Sequence, residues 1–374
     1  MDNFLIITCV HHFQKDGKFY GYGPFIREMN LWIKNRKKVT VLAPLIYSGI
    51  PGKIDLEYEH PHLNFKSVPA YHIQSWIARF KALFQVPYIL LMIFWEMSKA
   101  SHIHIRTPGN MGLLAMFVQI LFPFKFKTIK YAGNWDPKSE QPHTYKIQRR
   151  LANSPFFTRN AKVLVYGNWA DNSSNVVPFF TASYSETEIE PVRKSSLKEK
   201  IKLVFVGSIY SGKNPEVGIY LSKILKDKGI DFEFIYCGDG VMRPQMEELS
   251  IQLDLSENVK FLGNVTSAEI KSILKESHFL IFISKTEGWP KAVAEAMFWG
   301  CIPFTSPVSC VPEMVGNGER GVLLSTNPEE IYLALLPYID DEELFQKTSK
   351  QAMDWSRKFT LEKFQKEIVN LECE

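Results

Sequence analysis

The stretch that decides the fold runs from Phe279 to Gly300 and reads FLIFISKTEGWPKAVAEAMFWG. It begins with an apolar run of the length of a buried strand, and a Glu-Gly turn follows. Pro290 suits the first position of a helix, where a backbone N–H has no helical partner, and Gly300 suits the position just past its end. The stretch therefore predicts a strand, a turn and a helix in succession, which is the unit of a parallel sheet.

The turn and the start of this helix are suited to bind an anion. The backbone N–H groups of Gly288 and of the first helical turn, together with the helix dipole, favour a diphosphate there. Glu295 lies little more than one turn inside the helix. Because helical side chains lean toward the N-terminus, its carboxylate can reach a ribose hydroxyl beside such a diphosphate. Glu287 precedes the helix and is expected near a sugar.

The rest of the second half alternates buried apolar runs with amphipathic segments, which predicts a parallel sheet with helices on both faces. The predicted strands are Lys202–Gly207, Phe232–Cys237, Val259–Leu262 and Phe279–Ser284, and the predicted helices are Pro215–Lys228, Val241–Leu253 and Ser267–Glu276. Ligands of such sheets bind beyond the carboxyl ends of the strands.

The first half shows the same alternation. Its predicted strands are Phe4–Cys9, Lys38–Ala43, Ile103–Ile105, Thr128–Tyr131 and Ala161–Tyr166, with helices at Phe25–Asn35 and Leu113–Leu121. A polar stretch without apolar periodicity separates the halves. We therefore expect two Rossmann-like, doubly wound α/β domains that face a central cleft. Their expected bounds are 1–185 and 201–355, with a linker at 186–200 and a C-terminal helix at 356–374 that returns to the first domain.

Composition favours a reducing, intracellular setting. The five cysteines are scattered and form no CxxC pair, so neither a disulfide framework nor a zinc site is indicated. The N-terminus lacks the basic region of a signal peptide. The longest apolar runs, Val86–Trp95 and Leu113–Phe124, are shorter than the roughly 18–20 residues that span a bilayer, so no transmembrane helix is expected.

Charge is distributed unevenly along the chain. Residues 1–195 hold 24 Lys and Arg against 13 Asp and Glu, a net +11, whereas residues 196–374 hold 20 against 27, a net −7. The basic half suggests an anionic surface or substrate, with membrane head groups and lipid-diphosphate acceptors favoured over nucleic acid. The alternative is that the two halves simply have solvated surfaces of unequal charge and that the basic half has no anionic partner.

Glu287 and Glu295 are separated by seven residues, and in this context the pair resembles the E-x7-E signature of the retaining GT-B glycosyltransferases of family four. The resemblance extends over the second half of the chain. Its other matching segments are Val206-Gly207-Ser208 with Lys213, Cys237-Gly238-Asp239-Gly240, Val259–Gly263, Cys301–Thr305 and Pro312-Glu313.

The resemblance implies roles for these residues. Glu295 is expected to bind the ribose of a nucleotide sugar, Glu287 to contact the donor sugar, and Lys213 to neutralise the leaving diphosphate. Many relatives carry arginine where this chain has Ser208, so a second cation must come from elsewhere, with Arg243 a weak candidate. The remaining predicted donor-binding residues are Gly207, Ser208, Gly238, Asp239, Gly240, Gly288, Trp289, Pro290 and Lys291. A generic turn is an equal alternative for Gly238–Gly240.

The first half offers less specific candidates for the acceptor side of the cleft. Gly21 and Gly23 lie in a glycine-containing loop after the first strand, with His12 as a weaker candidate that is more often structural. Arg106 ends a strand and can hold a phosphate or serve the scaffold.

Asn134, Trp135 and Asp136 follow the next predicted strand. Asn134 and Asp136 can contact sugar hydroxyls, Asp136 with a catalytic role, and Trp135 can stack on a sugar ring; a capped loop around a packed tryptophan is the alternative. The segment Trp76–Lys99 mixes aromatic and basic residues, so it is either an interfacial or a core helix.

We therefore expect sugar transfer, with retention of configuration, from a nucleotide diphosphate sugar to a hydroxyl of a growing glycan or lipid-linked saccharide. The expected process is the biosynthesis of a bacterial surface polysaccharide. The resemblance implies no cofactor beyond this co-substrate and no metal, and no D-x-D pair suited to Mg²⁺ is present. The expected location is the cytoplasmic side of a membrane, as a peripheral protein. The alternatives are an epimerase, a phosphorylase-like enzyme or a non-catalytic nucleotide-sugar-binding protein. A dehydrogenase is disfavoured because G-x-G-x-x-G is missing from both first turns.

Overall fold

The computed structural model describes residues 3–47, 49–70 and 76–373. The chain divides into two compact units. The first comprises Met1–Phe180 together with Gln365–Glu374, and the second comprises Thr181–Phe364. The division therefore follows Phe180, five residues before the boundary expected at residue 185.

The first unit is built on a twisted sheet flanked by helices. Its strands are β1 (Asn3–Ile7), β2 (His12–Lys15), β3 (Lys18–Tyr22), β4 (Lys38–Ile46), β5 (Asp55–Glu57), β6 (Leu63–Val68), β7 (His102–Thr107), β8 (Phe126–Tyr131), β9 (Ala161–Tyr166) and β10 (Val176–Phe179). Its helices are α1 (Gly23–Ile33), α2 (Trp76–Lys99), α3 (Asn110–Val118) and α4 (His143–Ala152).

Seven of these strands run parallel in the order β6-β4-β1-β7-β8-β9-β10. The order reverses direction between β1 and β7, and this reversal is the switch point at which doubly wound sheets bind ligands. Strand β1 is buried along its whole length, as expected for a central parallel strand with helices on both sides.

A β-hairpin replaces the glycine-containing loop expected after the first strand. Strands β2 and β3 pair antiparallel around Asp16 and Gly17, which both have positive φ. An Asp-Gly pair is the preferred sequence for such a two-residue turn. Strand β2 then pairs in parallel with the carboxyl end of β4, and β3 pairs antiparallel with β5. The expectation of a glycine-containing loop between the first strand and the first helix was therefore wrong.

The second unit is a smaller, fully parallel sheet. Its strands are β11 (Ile201–Val206), β12 (Phe232–Cys237), β13 (Val259–Gly263), β14 (Phe279–Phe282), β15 (Ile302–Thr305) and β16 (Val322–Leu323), in the order β13-β12-β11-β14-β15-β16. Its helices are α5 (Glu216–Asp227), α6 (Arg243–Gln252), α7 (Ser267–Glu276), α8 (Lys291–Phe298), α9 (Val311–Met314), α10 (Pro328–Asp340) and α11 (Glu342–Ser356). The switch point lies between β11 and β14.

The last helix, α12 (Leu361–Cys373), crosses from the second unit into the first. Near its end Glu372 forms an ion pair with Arg36 and approaches Nδ1 of His102 at 3.5 Å. The stretch 186–200, expected as a linker, lies within the second unit. There the ammonium group of Lys194 is buried and donates to the carbonyl oxygens of Leu274 and Lys275.

These two parallel-sheet α/β domains confirm the predicted fold class. The deciding stretch forms β14, the turn and α8 as expected, and Gly300 follows the helix with φ +77. The positive φ is the left-handed conformation that glycine adopts after helices. Helix α7 begins at a capping box in which Thr266 and Glu269 satisfy each other's backbone N–H groups.

Candidate functional site

The candidate site lies at the switch point of the second unit, where the loops after β11 and β14 lie side by side. Asn214 adopts φ +42 and donates its side-chain amide to the carbonyl oxygen of Ile283 at 3.1 Å. The carbonyl oxygen of Gly212 accepts from the backbone N–H of Lys285 at 2.9 Å. These bonds fix the two loops against each other and bring the residues between them together.

Lys213 and Glu287 form an ion pair across these loops. Their side chains are only 14% and 11% exposed, and the Lys213 ammonium lies 4.4 Å from the centre of the Phe282 ring. A half-buried cation of this kind interacts strongly with any anion that enters, because little water screens it. The structure therefore brings together Lys213 and Glu287, two of the three residues proposed for chemistry, whereas Asp136 lies in the first unit.

The Glu-Gly turn is held from its other side by the loop after β15. The carbonyl oxygen of Gly288 accepts from Oγ of Ser309 at 3.0 Å and from Sγ of Cys310 at 3.3 Å. Ser306 bridges the backbone of Ser284, accepting from its N–H at 3.0 Å and donating to its carbonyl oxygen at 2.5 Å. None of these polar partners was predicted, because they lie about twenty residues away in sequence.

Helix α8 presents its N-terminus beyond this turn. Pro290 is the residue before the helix, with φ −72 and ψ 97, so the helix starts one residue later than predicted. The carboxylate of Glu295 accepts from Oγ of Ser183 at 2.5 Å, within the second unit. Ser183 thereby orients the carboxylate that is expected to bind a ribose, and no motif in the sequence predicted this role.

Trp289 packs inside the second unit. Its ring stacks on Trp355 with 6.1 Å between centroids and meets Phe359 edge-on at 5.4 Å. These contacts give the tryptophan a structural role at the end of α11. Its predicted contact with a donor, like that of the neighbouring Lys291, stays a prediction.

The glycines at the ends of β11 and β12 are required by packing. A Cβ atom on Gly238 would lie 1.9 Å from the carbonyl oxygen of Gly207, and one on Gly240 would lie 2.3 Å from that of Ile209. Close contact between two strand-end loops therefore explains Gly238 and Gly240 without a ligand. Both loops still border the switch point, where Ser208 is exposed.

Asp239 and Arg243 engage each other beside these loops. An Nη1–Oδ2 distance of 3.4 Å joins them, and Arg243 also donates from Nε to Glu247 at 2.8 Å. The guanidinium is thus held by two carboxylates. This weakens Arg243 further as the second cation for a diphosphate.

A cavity of about 260 Å³ lies at the switch point of the first unit. Cys9 and His11, after β1, line one side, and Gly109 and Asn110, before and at the start of α3, line another, with Tyr145 from α4. Burial raises the pKa of both the Cys9 thiol and the Tyr145 hydroxyl, so both keep their protons at neutral pH. The sequence predicted none of these residues, although the strand-end rule points to this edge.

His12 lies in the core, not at this cavity. It is fully buried, its Nε2 lies 3.1 Å from the Tyr58 hydroxyl, and burial lowers its pKa to about 4. His12 as an acceptor residue was therefore wrong, and its neighbour His11 faces the cavity instead. Gly21 and Gly23 likewise serve packing, since a Cβ atom on Gly23 would lie 2.2 Å from the carbonyl oxygen of Ile54.

Arg106 and Trp135 also face the interior. Arg106 pairs with buried Glu28 at 3.3 Å and lies over the Phe25 ring at 5.1 Å, which is the scaffold alternative. Trp135 is buried against Tyr131 and donates from Nε1 to Asn172 at 2.9 Å. The packed-tryptophan alternative is correct, because neither face of a buried ring is open to a sugar.

Asn134 and Asp136 form the capped loop of that alternative. The Asn134 side chain accepts from the backbone N–H of Asp136 at 2.9 Å, and Asp136 accepts from that of Lys138 at 2.8 Å. Asp136 is half-buried at the carboxyl end of β8. Its catalytic role stays a prediction.

The described part of the chain holds no group of three or more His, Cys, Asp or Glu side chains placed to bind a metal ion. Cys9, Cys237, Cys301 and Cys310 are free thiols. Of the helices that the structure describes, none combines the length and the apolar character needed to cross a membrane.

Most of the second unit matches a known protein family. Residues 187–355 match the family described as Glycosyl transferases group 1. These residues contain β11–β16 and the entire Lys213, Glu287 and Glu295 site.

Several curated relatives match part of the chain. The uncharacterized glycosyltransferase MJ1178 of Methanocaldococcus jannaschii is 27% identical over 190 residues, which is 46% of this chain and 54% of the relative. The amylovoran biosynthesis glycosyltransferase AmsK of Erwinia amylovora is 28% identical over 149 residues, 38% of this chain and 37% of the relative. The chain thus matches about half or less of the length of these relatives.

Several solved structures match all or nearly all of the chain. Alr3699/HepE of Anabaena, crystallised with UDP and glucose, has a TM-score of 0.69 at 14% identity, and the match covers 100% of both chains. At this identity the likeness concerns the fold. Residues 187–355 of the second unit therefore match the group 1 glycosyltransferase family, and the two parallel-sheet domains of the chain share the fold of HepE.

Proposed function

We propose that the chain transfers a sugar from a nucleotide diphosphate sugar to a hydroxyl group of a glycan or lipid-linked saccharide. The observation that carries this proposal is the Lys213–Glu287 ion pair at the switch point of the second unit, inside the matched domain. A diphosphate at the N-terminus of α8 meets a cation and a line of backbone N–H groups. Glu287 then lies beside the bond to the sugar.

The donor half of the proposal fits the chemistry of this site. As the sugar–phosphate bond breaks, negative charge grows on the diphosphate, and a preorganised ammonium group with little exposure to water stabilises it. The Glu295 carboxylate, oriented by Ser183, accepts hydrogen bonds from the ribose hydroxyls. The solved structure of HepE contains UDP, which supports a uridine nucleotide as the first donor to test.

The proposed saccharide acceptor is supported by a cavity in the first unit and by one relative. The cavity beside Cys9, His11 and Tyr145 lies at the switch point of the first sheet, where an acceptor sugar can enter. AmsK is named for amylovoran biosynthesis, which supports a surface polysaccharide as the product class.

The finer chemistry of the proposal follows from the resemblance to the E-x7-E enzymes. The sugar keeps its anomeric configuration, and the leaving phosphate takes the proton of the attacking hydroxyl. Lys213 and the α8 N-terminus balance the phosphate charge without a metal ion. No cofactor takes part beyond the nucleotide sugar.

We place this activity at the cytoplasmic face of a membrane, with the protein attached peripherally. The net charge of +11 on residues 1–195 supports contact with anionic lipid. The net charge of −7 on residues 196–374 is repelled by the same lipid, so this half is expected to stay in solution. The free thiols of Cys237, Cys301 and Cys310 fit a reducing compartment.

The anomeric configuration of the product tests the proposed chemistry. The purified chain is incubated with a nucleotide sugar and a saccharide acceptor in EDTA, and the new linkage is read by NMR coupling constants. Retention of the donor's configuration with full activity in EDTA is expected. An inverted linkage, or activity that returns only with Mg²⁺ or Mn²⁺, contradicts this part of the proposal.

A further inference from the structure

Helix α2 has an outward face that is apolar along most of its length. Between Phe80 and Trp95 seven large apolar side chains are exposed, and the only charged residue in that range is Lys81. Phe84, Tyr88, Leu91 and Trp95 follow one another at helical spacing, so they form a single outward stripe. A soluble surface helix normally shows polar residues on this side.

The stripe continues onto neighbouring segments of the first unit. Phe94 packs against Phe122 with 5.2 Å between ring centroids, and the Lys125 ammonium donates to the carbonyl oxygen of Ser98 at 2.7 Å. Beside this junction Leu121 and Phe124 are exposed. We call the exposed apolar side chains of α2 and of residues 117–124 the apolar platform.

The border of the apolar platform is cationic. Lys99 lies 4.5 Å from the Trp95 ring and Arg159 lies 5.1 Å from the Phe156 ring, and both cations are exposed. Lys81 on α2 is exposed too, and the one acidic residue of the sequence from 80 to 135 is Glu96, which is buried and pairs with Lys99 at 3.1 Å. An apolar surface bordered by aromatic rings and cations complements a bilayer interface, whose acyl region is apolar and whose anionic head groups are negative.

We propose that the apolar platform inserts into the interface of an anionic membrane, with α2 lying in the plane of the bilayer. This extends the proposed membrane contact, because it adds insertion of Leu91, Trp95 and Phe124 to attraction between charges. These three side chains are 69%, 59% and 93% exposed. A membrane that covers them removes apolar area from water, which stabilises the bound state even when salt screens the charges.

Vesicle sedimentation tests the insertion with a triple variant, Leu91→Gln, Trp95→Gln and Phe124→Gln. The changed side chains are exposed, so we expect the variant to fold, which circular dichroism checks. The matched control changes three exposed apolar residues of the second unit, Val241→Gln, Ile251→Gln and Leu333→Gln. Vesicles contain phosphatidylglycerol in phosphatidylcholine, and binding is measured at low and at high salt.

We expect the wild type and the control to keep a salt-resistant fraction on the vesicles, and the triple variant to lose about tenfold or more in partition at high salt. Equal salt-resistant binding by the triple variant overturns the inference. Complete release of the wild type by salt also overturns it, while leaving the proposed electrostatic contact intact. A wild type that ignores vesicles but forms dimers that the triple variant cannot form shows that the platform binds a second copy instead.

Discussion

At the scale of single residues, the proposed transfer depends on two half-buried charges that neutralise each other until a donor binds. Lys213 and Glu287 come from loops more than seventy residues apart, and backbone bonds between the loops set their approach. Breaking such a pair leaves one charge in a poorly hydrated place. Replacing either residue can therefore change both the stability of the fold and the catalytic rate. The choice of substitution separates these two effects.

Replacing Glu287 with Gln keeps the shape of the side chain and removes its charge. We expect turnover to fall by about a hundredfold or more while donor affinity changes little, because the carboxylate acts on the transition state. Initial rates at several donor concentrations give kcat and KM separately. An unchanged kcat rejects the role of Glu287.

Glu295→Ala should act on binding. Losing a charged acceptor of ribose hydroxyl bonds costs roughly 1.5–3 kcal/mol, so donor affinity should fall by about ten- to a hundredfold. Calorimetry with the nucleoside diphosphate measures this directly. Ser183→Ala removes the hydroxyl that donates to the Glu295 carboxylate at 2.5 Å but keeps the carboxylate itself. This variant should therefore lose less donor affinity than Glu295→Ala. Wild-type affinity in Glu295→Ala contradicts the assignment.

At the scale of elements, two loops fit together only because they carry glycine. Gly238→Ala places a Cβ atom 1.9 Å from the carbonyl oxygen of Gly207 at a residue with φ +148. The loops must separate, and we expect a loss of about 1–3 kcal/mol in the free energy of unfolding. Gly229→Ala is the matched control, because φ is +69 but no atom lies within 4 Å of the new Cβ. Urea unfolding should rank Gly238→Ala as the more destabilised protein.

The hairpin that replaced the expected loop buries a titrating group, His12. Burial lowers its folded pKa to about 4, below the ordinary value of 6.5, so the unfolded chain binds more protons between these pH values. The free energy of unfolding should therefore fall as pH drops from 6.5 toward 4, by up to about 3 kcal/mol from this residue.

The pH dependence of the urea midpoint checks this sign. His12→Gln should lower stability at pH 7 and flatten the change between pH 6.5 and 4. An equally steep change in the variant assigns the dependence to other buried histidines, such as His278, whose pKa burial also lowers to about 4.

The sequence predicted elements well where periodicity was strong, but one local turn was missed and side-chain placements that depend on distant contacts were wrong. Strand Phe232–Cys237 and helix Ser267–Glu276 have the predicted bounds, because buried runs and capping residues are local signals. The hairpin was missed although Asp16-Gly17 is a strong local turn signal. The orientation of a side chain at a strand end depends on neighbouring elements, so the core placement of His12 and Arg106 had no local signal.

The candidate site shows the same limit. Lys213 and Glu287 lie in loops that the strand order brings together, and Glu295 lies in the helix that follows; the resemblance to the E-x7-E enzymes implied this grouping. The supporting contacts from Ser183, Ser306 and Ser309 join residues far apart in sequence. Such pairs depend on tertiary packing. The residue pattern within a short stretch of one sequence does not reveal them.

At the scale of the whole molecule, two doubly wound sheets provide two switch points with different contents. The one in the second unit holds charged groups and a helix N-terminus, as a diphosphate requires, whereas the one in the first unit opens a cavity of about 260 Å³ whose lining includes the uncharged Cys9 thiol and Tyr145 hydroxyl. Donor and acceptor therefore have separate candidate sites. The central claim is that the chain couples them in one transfer reaction.

Release of nucleoside diphosphate tests that claim most directly. The full chain is supplied with a panel of nucleotide sugars, with and without saccharide acceptors, and the diphosphate is measured by a coupled assay. The account predicts that one donor releases diphosphate rapidly only when an acceptor is present, and that Glu287→Gln abolishes this release. Donor binding without acceptor-dependent release across the panel, or release that Glu287→Gln leaves unchanged, would contradict it.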